Sequence, residues 1–524
     1  MRRARMTRPA WAVMVALAVG GCDDGGGGAD PEPFDACHVC GPLEAGPPLD
    51  AATDARPDDA DLPDAASDAA SDADPPDAAP DAGCDFPAPR RGDAPPVAAL
   101  AADPATCGQA PYTWLDDPAL GAVVERVEVQ RLSAAALSAL AAAAGITIPR
   151  PFVADVVVEQ IVYVTQARGE RVEATALVAT PQDPPADAPQ AIFALLHGTA
   201  GFSDACAPSD DFQTQGLAAA LAATGYTVVA PDYIGLKGRG EPTGFLHPYL
   251  IGEPTAMAVL DAIRAAGRLS AEAGGRCLPA EAVIVGGSQG GHAALWTELL
   301  APYYADELTI LGTVATVPPS DLLRQMELAL TARIDATFNA LALLITGADW
   351  YGHTAALGAV LRPPLDVDLP RAAAASCDGD DIDLDEADYP TLGDIFTPRL
   401  LDAVAAGELG ALEPWGCFAR ENSLLHTRIA RLAPAERPAH GILFVLGEAD
   451  GLVDTPTERA AFDALCEAGW PLVYLECARA PHGPTTQWAL PEILDFLDAR
   501  RAGEPLADRC VRTPPSDCRG EPMR

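Results

Sequence analysis

Basic residues are scarce in this chain of 524 residues: 34 Lys and Arg stand against 75 Asp and Glu, for a formal net charge of −41. Such a surface repels phosphate backbones and anionic membrane faces, which excludes a nucleic-acid partner and suits a neutral substrate. Aromatic residues make up only 6%, and from Asp23 to about Asp85 they almost vanish. No internal repeat is present. The N-terminal apolar run, Ala10 to Val19, is shorter than the roughly 20 residues that a membrane-spanning helix needs. What is there is 49% hydrophobic, enough for a sizeable core, and at this length one large domain with appendages is expected.

The opening MRRARMTRPAWAVMVALAVGGC has an arginine-rich start, a short apolar stretch and small residues before Cys22, the pattern of an export signal over residues 1–22. Val19-Gly20-Gly21-Cys22 resembles a bacterial lipobox, which implies acylation of Cys22 and a lipid anchor to the cell envelope. Residues 23–94, rich in Asp, Ala and Pro, cannot bury enough apolar surface to offset their ordering entropy and read as a tether. Its root-mean-square reach is on the order of 40 Å.

Thirteen cysteines are present, and setting Cys22 aside leaves an even number in an exported chain, where disulfides persist. Cys466 with Cys477 and Cys510 with Cys518 are the pairings suggested by closeness in sequence. Cys37-His38-Val39-Cys40 lacks a second ligand pair at finger spacing, so a local disulfide is preferred to zinc. The acidic stretch CDGDDIDLDEAD, Cys377 to Asp388, lacks the glycine and terminal glutamate register of a calcium loop and reads as a solvated acidic loop.

Over residues 95–524 apolar strands alternate with Ala/Leu-rich helices. ADVVVEQIVYVTQ and RVEATALVATP form a hairpin; QAIFALL, YTVVAP, AVIVGG, LTILGTVAT, GILFVLG and PLVYLECA read as further strands, most of them continuous apolar runs. Continuous apolar strands alternating with helices predict an α/β fold, a mostly parallel sheet covered on both faces. Between two late strands lies a block at about 320–437 that reads as helix and loop, expected to form a cap over the carboxyl ends of the strands. The last helix is expected to run through TTQWALPEILDFLDARR.

Gly286-Gly287-Ser288-Gln289-Gly290 fits G-x-S-x-G at the end of a predicted strand, the nucleophile elbow, with Ser288 as the candidate nucleophile. A serine hydroxyl needs a base to take its proton and an acid to orient that base, in the chain order serine, acid, histidine. Asp450 follows the strand GILFVLG, and His482 follows the next strand, so both fall at strand carboxyl ends. Asp454 is the alternative acid, and either aspartate would also serve as a helix cap. Backbone N–H groups of Gln289 and of the loop His197 to Gly201, with Thr199 first and Ala200 next, are the candidates for an oxyanion hole. His197 is expected to brace that loop.

LHGTAGFSDACAPS, APDYIGL, HPYLIGEPTAMAVLDAIRAA, GGSQGGHAAL, GEADGLVD and PHG together resemble the secretory lipase family of α/β-hydrolases, over roughly Val153 to Arg501. The resemblance implies the α/β-hydrolase fold with an inserted cap, and a triad of Ser288, Asp450 and His482. It also implies hydrolysis of small-molecule or lipid carboxylic esters with no metal or organic cofactor. KGRGEPTGFL is longer and more charged than the family's short link, and Asp454 replaces a proline usual there. A serine peptidase on the same fold and a non-catalytic surface-binding lipoprotein are the other readings.

Overall fold

Residues 155–182 form a long hairpin, β2 (Asp155–Ala167) and β3 (Glu170–Gln182), turned at Arg168 and Gly169, both with positive φ. In the computed structural model the described residues are 85–92, 106–143 except 111, 149–272, 277–375, 377, 382, 384–385, 387–432 and 439–522. The signal, most of the tether and the Cys37–Cys40 motif lie outside them. Before the hairpin come β1 (Val123–Leu132) and α1 (Ala134–Ala143). β1, which the sequence patterning did not reveal, has no buried residue. That half-wet face hides the continuous apolar signal on which strand recognition rested.

Next follow β4 (Ile192–Leu196), α2 (Phe212–Ala223), β5 (Thr227–Pro231), α3 (Gly252–Glu272), β6 (Glu281–Gly287), α4 (Gln289–Tyr304) and β7 (Thr309–Thr316). The chain closes with β8 (Gly441–Gly447), α11 (Thr455–Glu467), β9 (Leu472–Cys477), α12 (His482–Trp488) and α13 (Leu490–Arg501). The nine strands lie in the order β1-β2-β3-β5-β4-β6-β7-β8-β9. β1, β2, β3 and β5 pair antiparallel, and every pairing from β5 through β9 is parallel. Each residue of β5 and β8 is buried, because helices cover both sheet faces. Met257, Leu260 and Leu295 of α3 and α4 pack on one face, and Ala218, Ala222, Ile493 and Leu497 of α2 and α13 on the other.

Between β7 and β8 the insertion holds α5 (Leu322–Ala329), α6 (Ala336–Tyr351), α7 (Leu365–Ala375), α8 (Leu392–Ile395), α9 (Pro398–Ala405) and α10 (Trp415–Glu421). Leu341, Leu344 and Phe418 of this block belong to the same buried cluster as the α3/α4 face. The insertion therefore shares its core with the sheet. Two disulfides reinforce that union: Cys107–Cys417 and Cys206–Cys377 each join the body to the insertion.

Two expectations need correction. The C-terminal cysteines pair as Cys466–Cys510 and Cys477–Cys518, not by sequence proximity. The cause is the final segment, which runs back beside β9: Cys510 N–H donates to the Leu472 carbonyl and Ser516 N–H to that of Glu476. Covering that edge brings each tail cysteine to a partner 44 or 41 residues away. The last helix is also two: α12 ends at Trp488, and α13 restarts with Pro491 in its first turn, where proline's missing N–H does no harm.

Candidate active site

β6, flanked by β4 and β7, delivers Ser288 to the carboxyl end of the parallel strands, and α4 leaves immediately after it. Ser288 holds φ 57° and ψ −119°, a strained conformation for a residue with a side chain. Glycines make the turn possible. A Cβ on Gly286 would stand 2.0 Å from the Gly290 carbonyl oxygen, and one on Gly290 2.3 Å from that of Leu196. Ser288 N–H donates to the Thr316 carbonyl at the end of β7 (2.9 Å), which ties the turn to the neighbouring strand.

Three residues predicted from sequence converge there. His482, the first residue of α12, lies with Nε2 2.9 Å from Ser288 Oγ and Nδ1 2.7 Å from Asp450 Oδ2. A carboxylate only accepts, so Nδ1–H donates to Asp450, leaving Nε2 to accept from the serine hydroxyl. The Asp450 side chain is almost fully buried, at 2% exposure, and its Oδ1 accepts from the N–H groups of Leu452 (2.9 Å) and Val453 (3.0 Å). Both carboxylate oxygens are thus held, and the imidazole has one orientation available.

Asp454 is engaged elsewhere. It caps α11, accepting from Thr457 N–H at 2.8 Å, while its own N–H donates to Gln325 Oε1 (3.0 Å). The Gln325 amide also donates to the buried Glu458 (2.8 Å). Burial pushes the Glu458 carboxyl up to about 8, against hydrogen bonds from Gln325 and Ser320 that favour its ionised form.

The loop after β4 approaches the elbow: a Cβ on Gly198 would lie 3.9 Å from Ser288 Cβ. His197 Nδ1 is 2.6 Å from the Gly198 carbonyl oxygen and its ring stacks on Tyr233, 4.2 Å between centroids. Burial pushes its pKa down to about 4, so it stays neutral. Gln289 begins α4, where the first N–H groups of a helix have no intrahelical acceptor. Thr199 Oγ1 lies 2.9 Å from Tyr249 Oη, which accepts from Asn339 Nδ2 of α6 at 2.7 Å.

Tyr249, Asn339, Gln325 and His247 escaped the sequence reading. His247 and Tyr249 stand in HPYL, a stretch that carried the family resemblance. Asn339 had no such signal, since nothing local marks which face of an inserted helix meets the elbow.

A cavity opens beside Ser288 and Gln289. Its roof is apolar: Leu322, Met326 and Ala329 of α5, and Ala336, Ala340 and Leu343 of α6. Each trio follows i, i+4, i+7 spacing, one face of a helix. Residues 237–246, the long charged link, are not among the wall residues; Lys237 instead binds Glu173 (2.6 Å) and Arg239 binds Gln160 (3.0 Å). Among the described residues no cluster of His, Cys, Asp and Glu is arranged to hold a metal ion, and no helix is long and apolar enough to cross a membrane.

Strand order, helices on both faces and a serine at the β6–α4 turn define the α/β-hydrolase fold. The secretory lipase family model matches residues 210–344, a segment that contains Ser288 and Gln289 but neither Thr199, Asp450 nor His482. Over that segment the resemblance seen in the sequence is shown. Among solved structures, the rice cell wall degrading esterase LipA from Xanthomonas oryzae is 18% identical, with a TM-score of 0.58 over 74% of this chain and 98% of its own. Candida antarctica lipase A in its closed state is 18% identical, with a TM-score of 0.55 over 76% of this chain and 86% of its own. No curated protein sequence matches the chain.

Proposed function

We propose that this protein is a serine hydrolase of neutral carboxylic esters, acting through Ser288, His482 and Asp450. The observation that carries the reading is the unbroken line Ser288 Oγ, His482, Asp450, at 2.9 and 2.7 Å. His482 Nε2 takes the serine proton as Oγ attacks the ester carbonyl, and Asp450 stabilises the imidazolium that results. N–H groups of Gln289 and Thr199 receive the oxyanion. The protonated histidine then gives its proton to the departing alcohol, leaving an acyl-serine. Water, deprotonated by the same histidine, releases the acid and restores the hydroxyl.

The match to secretory lipases supports ester chemistry, as do the esterase and lipase with the same fold. A peptidase that clamps a free amino terminus would need a carboxylate in the pocket wall. Among the described residues the cavity has none.

Domain and address belong to the same proposal. Residues 1–22 export the chain, Cys22 carries the lipid, residues from 23 to about 84 form the tether, which ends earlier than the expected 94 because Arg90 and Gly92 already bond Glu307 and Tyr303 of the body, the rest of the chain is catalytic, and 320–437 cap the site. Disulfides throughout the body accord with an oxidising compartment. Replacing Cys22 by Ser is expected to move the protein from the membrane fraction to the soluble one; retention in membranes would refute the anchor.

Hydrolysis of p-nitrophenyl esters from acetate to palmitate by protein lacking residues 1–83, beside Ser288→Ala, tests the chemistry. Turnover by the first and its loss in the second are expected. A folded protein inactive on every ester would sink the reading.

A further inference from the structure

The helix that carries His482 is short. α12 spans seven residues, His482–Trp488, and its N-cap, Pro481, makes no side-chain cap bond. A helix of about two turns has little stability of its own, so its place depends on what holds it. In its middle, Thr486 reaches Thr316 at the end of β7, with 2.5 Å between the hydroxyl oxygens. Both of its ends are met by one stretch of chain, residues 516–521, which the chemistry above does not use.

Before the helix, Cys477 is bonded to Cys518, and Ala478 N–H donates to the Ser516 carbonyl (2.8 Å). Arg479 follows with φ 60°, a conformation that a residue with a side chain keeps only where its surroundings impose it. Its N–H donates to Glu448 of the Asp450 loop (2.8 Å), and its guanidinium to Asp517 (2.8 Å) and Glu521 (2.9 Å). Ala449 N–H donates to the Ala480 carbonyl (3.0 Å), so the loop before His482 is bonded both to the Asp450 loop and to residues 516–521. After the helix, Gly520 N–H donates to the Trp488 carbonyl (2.8 Å). The approach is backbone on backbone: a Cβ on Gly520 would stand 2.7 Å from the carbonyl oxygens of both Gln487 and Trp488. Arg519 pairs with Glu492 and Asp495 of α13. Arg479 and Arg519 are about half exposed, so their ion pairs add little and the backbone bonds and the disulfide carry most of the hold.

We propose that residues 516–521 are a strap that positions His482 against Ser288, which makes Cys518 and Gly520 positioning residues of the hydrolase reaction although neither is among the wall residues of the cavity. This assignment rests on the reading of His482 as the base. The contacts of its ring, 2.9 Å to Ser288 and 2.7 Å to Asp450, depend on where α12 begins, and a displacement on the order of 1 Å costs about a hundredfold in rate. The other disulfide of the same segment supplies a control. Cys466–Cys510 fastens it at the amino end of β9, where Cys510 N–H meets the Leu472 carbonyl. Cys477 is the last residue of β9, at the carboxyl end of the strands where Ser288 stands.

Three variants of the whole chain are compared with wild type on p-nitrophenyl butyrate: Cys477→Ser with Cys518→Ser, Cys466→Ser with Cys510→Ser, and Gly520→Ala. kcat is expressed per serine titrated to completion with a fluorophosphonate, so that unfolded chains do not count. Loss of the Cys477–Cys518 bond and Gly520→Ala are each expected to lower kcat about ten- to a hundredfold with KM little changed, since a displaced base harms the transition state and not binding. Loss of Cys466–Cys510 should lower Tm yet leave kcat within about twofold. Unchanged kcat in either the first or the third variant, or an equal fall in both disulfide variants, would overturn the strap and leave the esterase reading intact. Should the protein without Cys477–Cys518 fail to fold, Gly520→Ala, which keeps every disulfide, decides alone. A wild type that turns over no ester overturns both.

Discussion

At the scale of single residues, the two aspartates after β8 do different physical work. Asp450 faces His482 and Asp454 caps a helix, so their substitutions should separate. Asp450→Asn is expected to lower kcat by about 10³–10⁴, because the histidine loses the partner that sets its tautomer. Asp454→Ala should retain most of kcat but lower the unfolding free energy by about 1 kcal/mol, the usual worth of an N-cap. Steady-state kinetics and denaturant unfolding on both variants check this. Glu458 carries a prediction of a different kind. Its carboxyl is pushed from 4.5 up to about 8 by burial, so the folded chain keeps a proton that the unfolded chain gives up above about pH 4.5. Its contribution to stability is full below the unfolded value and is lost as pH rises through about 8. Glu458→Gln should therefore show a smaller fall in Tm between about pH 5 and 8 than the wild type. The difference between the two curves matters, since Asp232, raised to about 7 by burial, acts in the same direction in both.

At the scale of elements, the β6–α4 turn works only because its glycines let backbone approach backbone. An added methyl on Gly290 meets the carbonyl oxygens of Leu196 and His197, at 2.3 and 2.7 Å, and neither strand nor helix can withdraw without breaking its ladder. Gly290→Ala is expected to lose several kcal/mol of stability, seen as a large drop in Tm or as insoluble protein. The loop after β4 depends on another element altogether, since Thr199 reaches Tyr249 and Tyr249 reaches α6. Tyr249→Phe cuts that chain. If Thr199 serves the oxyanion, kcat should fall about tenfold with KM little changed, because the interaction is made mainly in the transition state.

At the scale of the whole molecule, the insertion is an integral part of the body. It shares the buried cluster that covers the α3/α4 face, and disulfides spanning 310 and 171 residues staple it at two points. Opening loops of that length releases much unfolded-state entropy. Replacing Cys206 and Cys377 together by Ala is expected to lower the unfolding free energy by about 2–5 kcal/mol, measured by thermal or denaturant unfolding under oxidising conditions.

Those scales divide what was legible. Strand-helix alternation, the elbow, and the order serine, acid, histidine could be read along the chain, because each depends on residues near one another in sequence. The sequence favoured Asp450 over Asp454 without deciding between them, since two carboxylates four positions apart on one loop have the same local character and differ only in what they face. Disulfide partners failed for the same reason: the tail returns beside β9, and proximity in sequence says nothing about that return. Asn339 reaches the site through an insertion whose docking no local pattern encodes, and there it meets Tyr249. By itself, then, the sequence determined the α/β-hydrolase scaffold and the three candidate residues, through hydrophobic periodicity and turn chemistry. Only the tertiary structure decided which carboxylate meets His482, which cysteines pair and what lines the pocket, because those contacts join segments far apart in the chain.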